Sequence, residues 1–138
     1  MNLTESDARA RLAAARVARL ATVDEEGRPH VVPVTFDLQG DSIVTAVDHK
    51  PKRTANLRRL RNIRANPRVA VLADHYEDDW TRLWWVRADG VAALVEEDAA
   101  RAAPVERLRA KYPQYRETPP AGPVVSITIT AVSGWSYA

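Results

Sequence analysis

The alternation of Val125, Ile127 and Ile129 with Ser126, Thr128 and Thr130 restricts this chain more than any other feature. A period of two buries one face of a strand and wets the other. The same β-branched bias recurs at residues 17–23, 29–36, 43–47 and 69–73. Residues 83–86 and 90–95 continue it as one long strand or a bent hairpin. Asp24-Glu25-Glu26-Gly27 and Gln39-Gly40-Asp41 are tight turns, so the first three runs read as an antiparallel meander. Pro33 lacks a ladder donor, which puts its strand at an edge or bends it there. About six short strands with helices among them predict a mainly β domain, a six-stranded antiparallel barrel. A meander followed by a helix and more strands is unlike a doubly wound parallel sheet.

Helices are expected at residues 4–15, 54–65 and 96–111. Thr4 is a suitable cap for the first, with Glu5 and Asp7 at its positive end. Leu57, Leu60 and Ile63 form one stripe of the second, and Asn66-Pro67 ends it. Pro104 is expected to divide the third, and residues 113–123 read as a proline-rich loop.

At 138 residues the chain suits one domain spanning 1–138. No apolar run reaches the ~18 to 20 residues that a membrane span needs. The absence of cysteine excludes disulfides, thiolate metal sites and a cysteine nucleophile, and fits a reducing, cytoplasmic setting. His30, His49 and His75 are too scattered for a metal motif. No glycine-rich phosphate loop or nucleophile elbow is present. Chemistry on such a chain needs a borrowed reagent, and a redox cofactor would supply it.

Charge is unevenly placed. Lys50, Lys52, Arg53, Arg58, Arg59, Arg61, Arg64 and Arg68 fall within nineteen residues that hold no carboxylate. The rest of the chain has 12 basic and 18 acidic residues. Cations just before a helix N-terminus join free backbone N–H groups in favouring an anion such as a phosphate. A solvated basic helix is the plain alternative. The interrupted strand at Pro33 exposes backbone groups able to hydrogen-bond a flat heterocycle, though an ordinary bulged edge would look the same. Trp84 and Trp85 are adjacent, so in a strand they point to opposite faces, one to the core and one to a partner or ligand.

Gly27-Arg28-Pro29-His30-Val31-Val32-Pro33-Val34-Thr35-Phe36 resembles the second strand of the pyridoxamine 5′-phosphate oxidase-like split β-barrel proteins, in particular their coenzyme F420-dependent oxidoreductase branch. Lys50-Pro51-Lys52-Arg53-Thr54-Ala55-Asn56-Leu57, followed by Asn66-Pro67-Arg68-Val69, is similar to that branch's cofactor phosphate segment. Trp84-Trp85-Val86-Arg87-Ala88-Asp89-Gly90 and Ser133-Gly134-Trp135 also fit. The resemblance implies a split barrel of the FMN-binding type, a homodimer with cofactor sites at its interface. It implies hydride transfer between a deazaflavin and a small unsaturated or conjugated acceptor. Carried onto this chain, it assigns Lys50, Lys52 and Arg53 to the cofactor phosphate, with Asn56 in the same segment. Thr45 and Ala46 lie beside the ribityl chain, and Pro33, Val34, Thr35 and Phe36 line the ring. Asp74 approaches from the other subunit.

The R-x-V-x-L-K strand of the FMN-using oxidases and their C-terminal arginine–histidine segment are missing, which lowers vitamin B6 oxidation as a function. FMN as the ligand, or a non-catalytic carrier or heme binder of the same fold, are the alternatives. Nucleic-acid binding by the basic helix is not expected, because no aromatic residues interleave with it and no helix-turn-helix flanks it. A membrane partner is not expected either.

Overall fold

The computed structural model describes residues 1–47 and 58–138, and the backbone of 55–57. Its centre is one antiparallel sheet of seven strands in the order β2-β1-β5-β6-β7-β4-β3. The strands are β1 (Ala18–Val23), β2 (Pro29–Val34), β3 (Asp37–Gln39), β4 (Ser42–Ala46), β5 (Arg68–His75), β6 (Trp84–Val95) and β7 (Val124–Ser136). The helices are α1 (Glu5–Ala14), α2 (Ala55–Ala65), α3 (Asp98–Lys111) and α4 (Pro113–Glu117).

The architecture is the split barrel that the strand pattern and the resemblance imply, with two corrections. Strands number seven among the described residues rather than six, because the short β3 pairs with β4. The first three runs do not form a meander. β2 and β3 are neighbours in the chain, yet they occupy opposite edges of the sheet. Thr35 and Phe36 cross from one edge to the other, and this crossing is the split. Phe36, wholly buried, belongs to the same core as Leu20, Ile43, Val71, Val86 and Ile127.

Local sequence explains the individual elements. The Thr4 side chain accepts the Asp7 N–H at 3.1 Å and caps α1, a contact worth about 1 kcal/mol. Ala8 and Leu12 bury that helix in the core. Gly27, at φ 81°, supplies the positive φ that the first turn requires. β4 is buried continuously from Ile43 to Ala46 because both its faces are covered. Ile43 faces the barrel core, and Val44 and Ala46 face Leu108, Tyr112 and Val124 in a second cluster under α3.

That second cluster explains two departures from expectation. α3 runs unbroken through Pro104, because Leu108 and Tyr112 pack it onto β4 and β7. Packing outweighs the one backbone hydrogen bond that the proline forfeits. Residues 113–117 form α4 rather than loop, with Pro113 in the first turn, where its missing N–H costs nothing. β6 is one continuous strand, with its register irregularity between Asp89 and Gly90.

β2 is an open edge containing Pro29 and Pro33. They stand opposite Val23 and Arg19, and the ladder with β1 passes both. A proline fits there only with its nitrogen facing away from β1.

Candidate functional site

Thr35 and Phe36 sit in a closed hydrogen-bond frame. The Thr45 hydroxyl, itself buried, donates to the Thr35 carbonyl at 2.6 Å. The Phe36 N–H donates to the Tyr112 hydroxyl at 3.1 Å. That hydroxyl shares its proton between the carbonyls of Arg16 (2.9 Å) and Phe36 (3.0 Å). The Thr35 hydroxyl lies 2.7 Å from that of Tyr115. Burial pushes the Tyr112 phenol up, against the opposing Phe36 backbone bond. The crossing backbone is therefore held rigidly by the chain itself. Val34 and Ala46 are buried alongside, while Pro33 is exposed on the outer face of β2.

Lys111, at the end of α3, completes this frame. Its Nζ lies 4.0 Å from the Phe36 ring centre and 5.3 Å from that of Tyr112, with no hydrogen-bond partner. Burial pulls the amine down to about 8. Asp37 works against that shift and Arg16 adds to it. Sequence reasoning missed Lys111, Tyr112 and Tyr115, which fall where helix gives way to the presumed loop. The only signal was that the third lysine stands alone beside two closely spaced tyrosines.

A second region lies where α2 packs against β1 and β6. Leu60 and Ile63 enter the core there, and Asn62 donates from Nδ2 to the Thr22 hydroxyl at 3.0 Å. Arg58 and Arg61 border a cleft of about 300 Å³ facing Asp24, Glu25 and Glu26. His30 projects from β2 toward this helix, and its buried Nδ1 has no hydrogen-bond partner. Burial, then the charges of Arg58 and Arg59, hold the imidazole below its usual range. The first turn of α2 contains no carboxylate. Lys50, Lys52 and Arg53 lie outside the described residues, and Asn56 is described by its backbone alone.

The third region is the outer face of β2, β1, β5 and β6. A recess of about 480 Å³ is lined there by Ala21, Val31, Leu72 and Trp85, with Arg19 and Arg87 among the charged lining residues. Asp74, exposed and opposite Trp85 in the β5–β6 ladder, lines the same recess. Val31 is 60% exposed and Tyr76 63%, so the face is apolar and uncovered in one chain. The tryptophan pair divides as its spacing predicts. Trp84 packs against the core with Arg11 5.5 Å over its ring, and Trp85 lies in the outer recess. The structure thus separates the expected site residues into a buried crossing, a basic helix and an outer face.

Known proteins agree with this architecture. The chain is similar to a FAD-binding protein from Mesorhizobium loti, at 22% identity over 97% of this chain and 95% of that one, with a TM-score of 0.73. It is similar to the FAD-binding protein of Mycobacterium smegmatis, at 22% identity over 100% and 99%, TM-score 0.66. A heme storage protein from Vibrio cholerae matches at 18% identity over 95% and 90%, TM-score 0.69. At these identities the likeness is one of fold. None of the curated proteins matches the chain. Residues 4–136, which contain every strand and helix described above, match the family described as pyridoxamine 5′-phosphate oxidase, and the chain belongs to that family.

Proposed function

We propose that this protein is an oxidoreductase that binds a flavin-type cofactor, coenzyme F420 in the first instance, and uses it to reduce a small unsaturated or conjugated acceptor. Family membership across residues 4–136 is the observation that carries the flavin-type reading. The residues present suit a phosphate-bearing group. The unpartnered His30 Nδ1 is buried beside Arg58 and Arg59, and the first turn of α2 holds no carboxylate. An anion at the start of α2 would meet the free N–H groups of the helix there, and the positive charge further along the helix adds to the attraction.

When bound, the deazaflavin supplies the hydride. The chain's own part is to bind and orient. Lys50, Lys52 and Arg53, with Asn56, are the proposed phosphate contacts, where charge-assisted bonds are the strong ones. Thr45 and Ala46 flank the linking chain of the cofactor. Pro33, Val34, Thr35 and Phe36 back its ring, on a crossing whose Thr35 carbonyl and Phe36 backbone groups are already bonded within the protein. Such a wall costs little to order on binding. Asp74 reaches the site from a second copy, and the apolar outer face supports that homodimer.

Side-by-side titration with coenzyme F420 and FMN, read by deazaflavin fluorescence and flavin absorbance, tests the reading. Tight F420 binding by colourless purified protein is expected. Tight FMN binding without F420 binding moves the function to the FMN alternative, and a Soret band on purification moves it to heme.

A further inference from the structure

We propose that the recess between the end of α1 and α4 is a binding site for a small aromatic or conjugated carboxylate, with Arg16 as its anion contact. The proposal does not rest on the cofactor reading, although Thr35, assigned there to the wall behind the ring, also lines this recess. The recess measures about 380 Å³ and is lined by Arg16, Val17, Thr35, Tyr112, Gln114 and Tyr115. That volume lies within the range of small-molecule sites.

Arg16 is held in place before any ligand arrives. Its guanidinium carbon lies 4.8 Å from the Tyr112 ring centre, and Nη2 donates to the Lys111 carbonyl at 2.8 Å. Its own carbonyl takes the Tyr112 hydroxyl at 2.9 Å. A guanidinium has five N–H donors in a fork that matches a carboxylate, and the carbonyl engages one side of it. Among the described residues Arg16 makes no ion pair.

A second cation faces the same ring. Lys111 Nζ is 5.3 Å from the Tyr112 ring centre, buried and without a hydrogen-bond partner. The carboxylate that acts on it, Asp37, is engaged by Arg107 at 3.0 Å. Two positive charges thus flank one aromatic ring with no carboxylate committed to either. Val17 and the tyrosine rings supply an apolar wall, and the hydroxyls of Thr35 and Tyr115 a polar edge. A flat body bearing one negative charge satisfies both halves of the recess.

Benzoate and its neutral counterpart benzamide, titrated into the full chain without cofactor, decide the matter. Calorimetry gives affinity, and NMR of Val17 methyls, Tyr115 and the Lys111 amine gives location. Benzoate is expected to shift Val17 and Tyr115, to bind at least tenfold tighter than benzamide, and to raise the titration midpoint of Lys111. Arg16→Gln should lose tenfold or more for benzoate, the loss of one charge-assisted contact, and leave benzamide unchanged. Equal affinity for the two probes, an Arg16→Gln chain that binds benzoate like the parent, or shifts confined elsewhere would overturn the proposal. Should Arg16→Gln fail to fold, the probe comparison and the Lys111 midpoint on the parent chain decide alone.

Discussion

Lys111 makes stability depend on pH in a way that can be signed. Its folded midpoint is near 8, against an ordinary 10.5. Between those values the unfolded chain holds the proton that the folded chain releases, so stability rises with pH across that window. Tyr112 acts oppositely above pH 10, because its phenol is pushed up and the folded chain keeps a proton that the unfolded chain loses. The thermal midpoint of the parent should therefore climb between pH 8 and 10 relative to Lys111→Met. Parallel curves for the two proteins would refute this account. Gly90 is a second sensitive position. A Cβ there would sit 2.6 Å from the Thr128 carbonyl oxygen and 2.7 Å from Ile127 Cγ2. Gly90→Ala is expected to cost about 1 to 3 kcal/mol in urea unfolding, as overpacking against backbone does. Neither residue was legible in the sequence as a pressure point. A lone lysine and a strand glycine acquire meaning only from the partners that long-range pairing brings to them.

Elements were more legible than residues. The turn glycines, the Thr4 cap and the alternation after Val125 are local signals, and the structure keeps all of them. The unbroken α3 and the existence of α4 were not legible, because Tyr112 and Leu108 hold them through contacts with β4 and β7. β3 was missed because three residues carry too little pattern to separate from a turn. The approach to α2 carries the sharpest element-scale expectation. Lys50→Ala or Lys52→Ala should weaken deazaflavin binding roughly ten- to a hundredfold, and added salt should weaken it further. Arg58→Ala and Arg61→Ala, which face the acidic 24–26 turn, should cost much less. Fluorescence titration of the four variants compares them directly, and the opposite ranking would move the phosphate from the loop to the helix face.

At the scale of the whole molecule, the outer face of β2, β1, β5 and β6 asks for a cover. Val31, Leu72 and Trp85 form an apolar recess that a two-fold partner would bury, at about 25 cal/mol for each Å² removed from water. Sedimentation should find a dimer at micromolar concentration, and Leu72→Glu should shift it toward monomer without unfolding it. A parent chain that stays monomeric would count against the shared site. The barrel class was legible, but the seventh strand and the wide separation of β2 and β3 were not, since adjacency in the chain suggested adjacency in the sheet. That separation leaves β2 as a terminal edge, and its two prolines then matter beyond the fold. With their nitrogens turned outward, Val31 is the one residue of the three at 29, 31 and 33 able to offer that edge a backbone donor. An incoming strand finds a broken row of partners, so the chain carries its own guard against fibrous stacking. Replacing both prolines by threonine should leave the monomer's fold intact and raise thioflavin-positive aggregation on gentle heating.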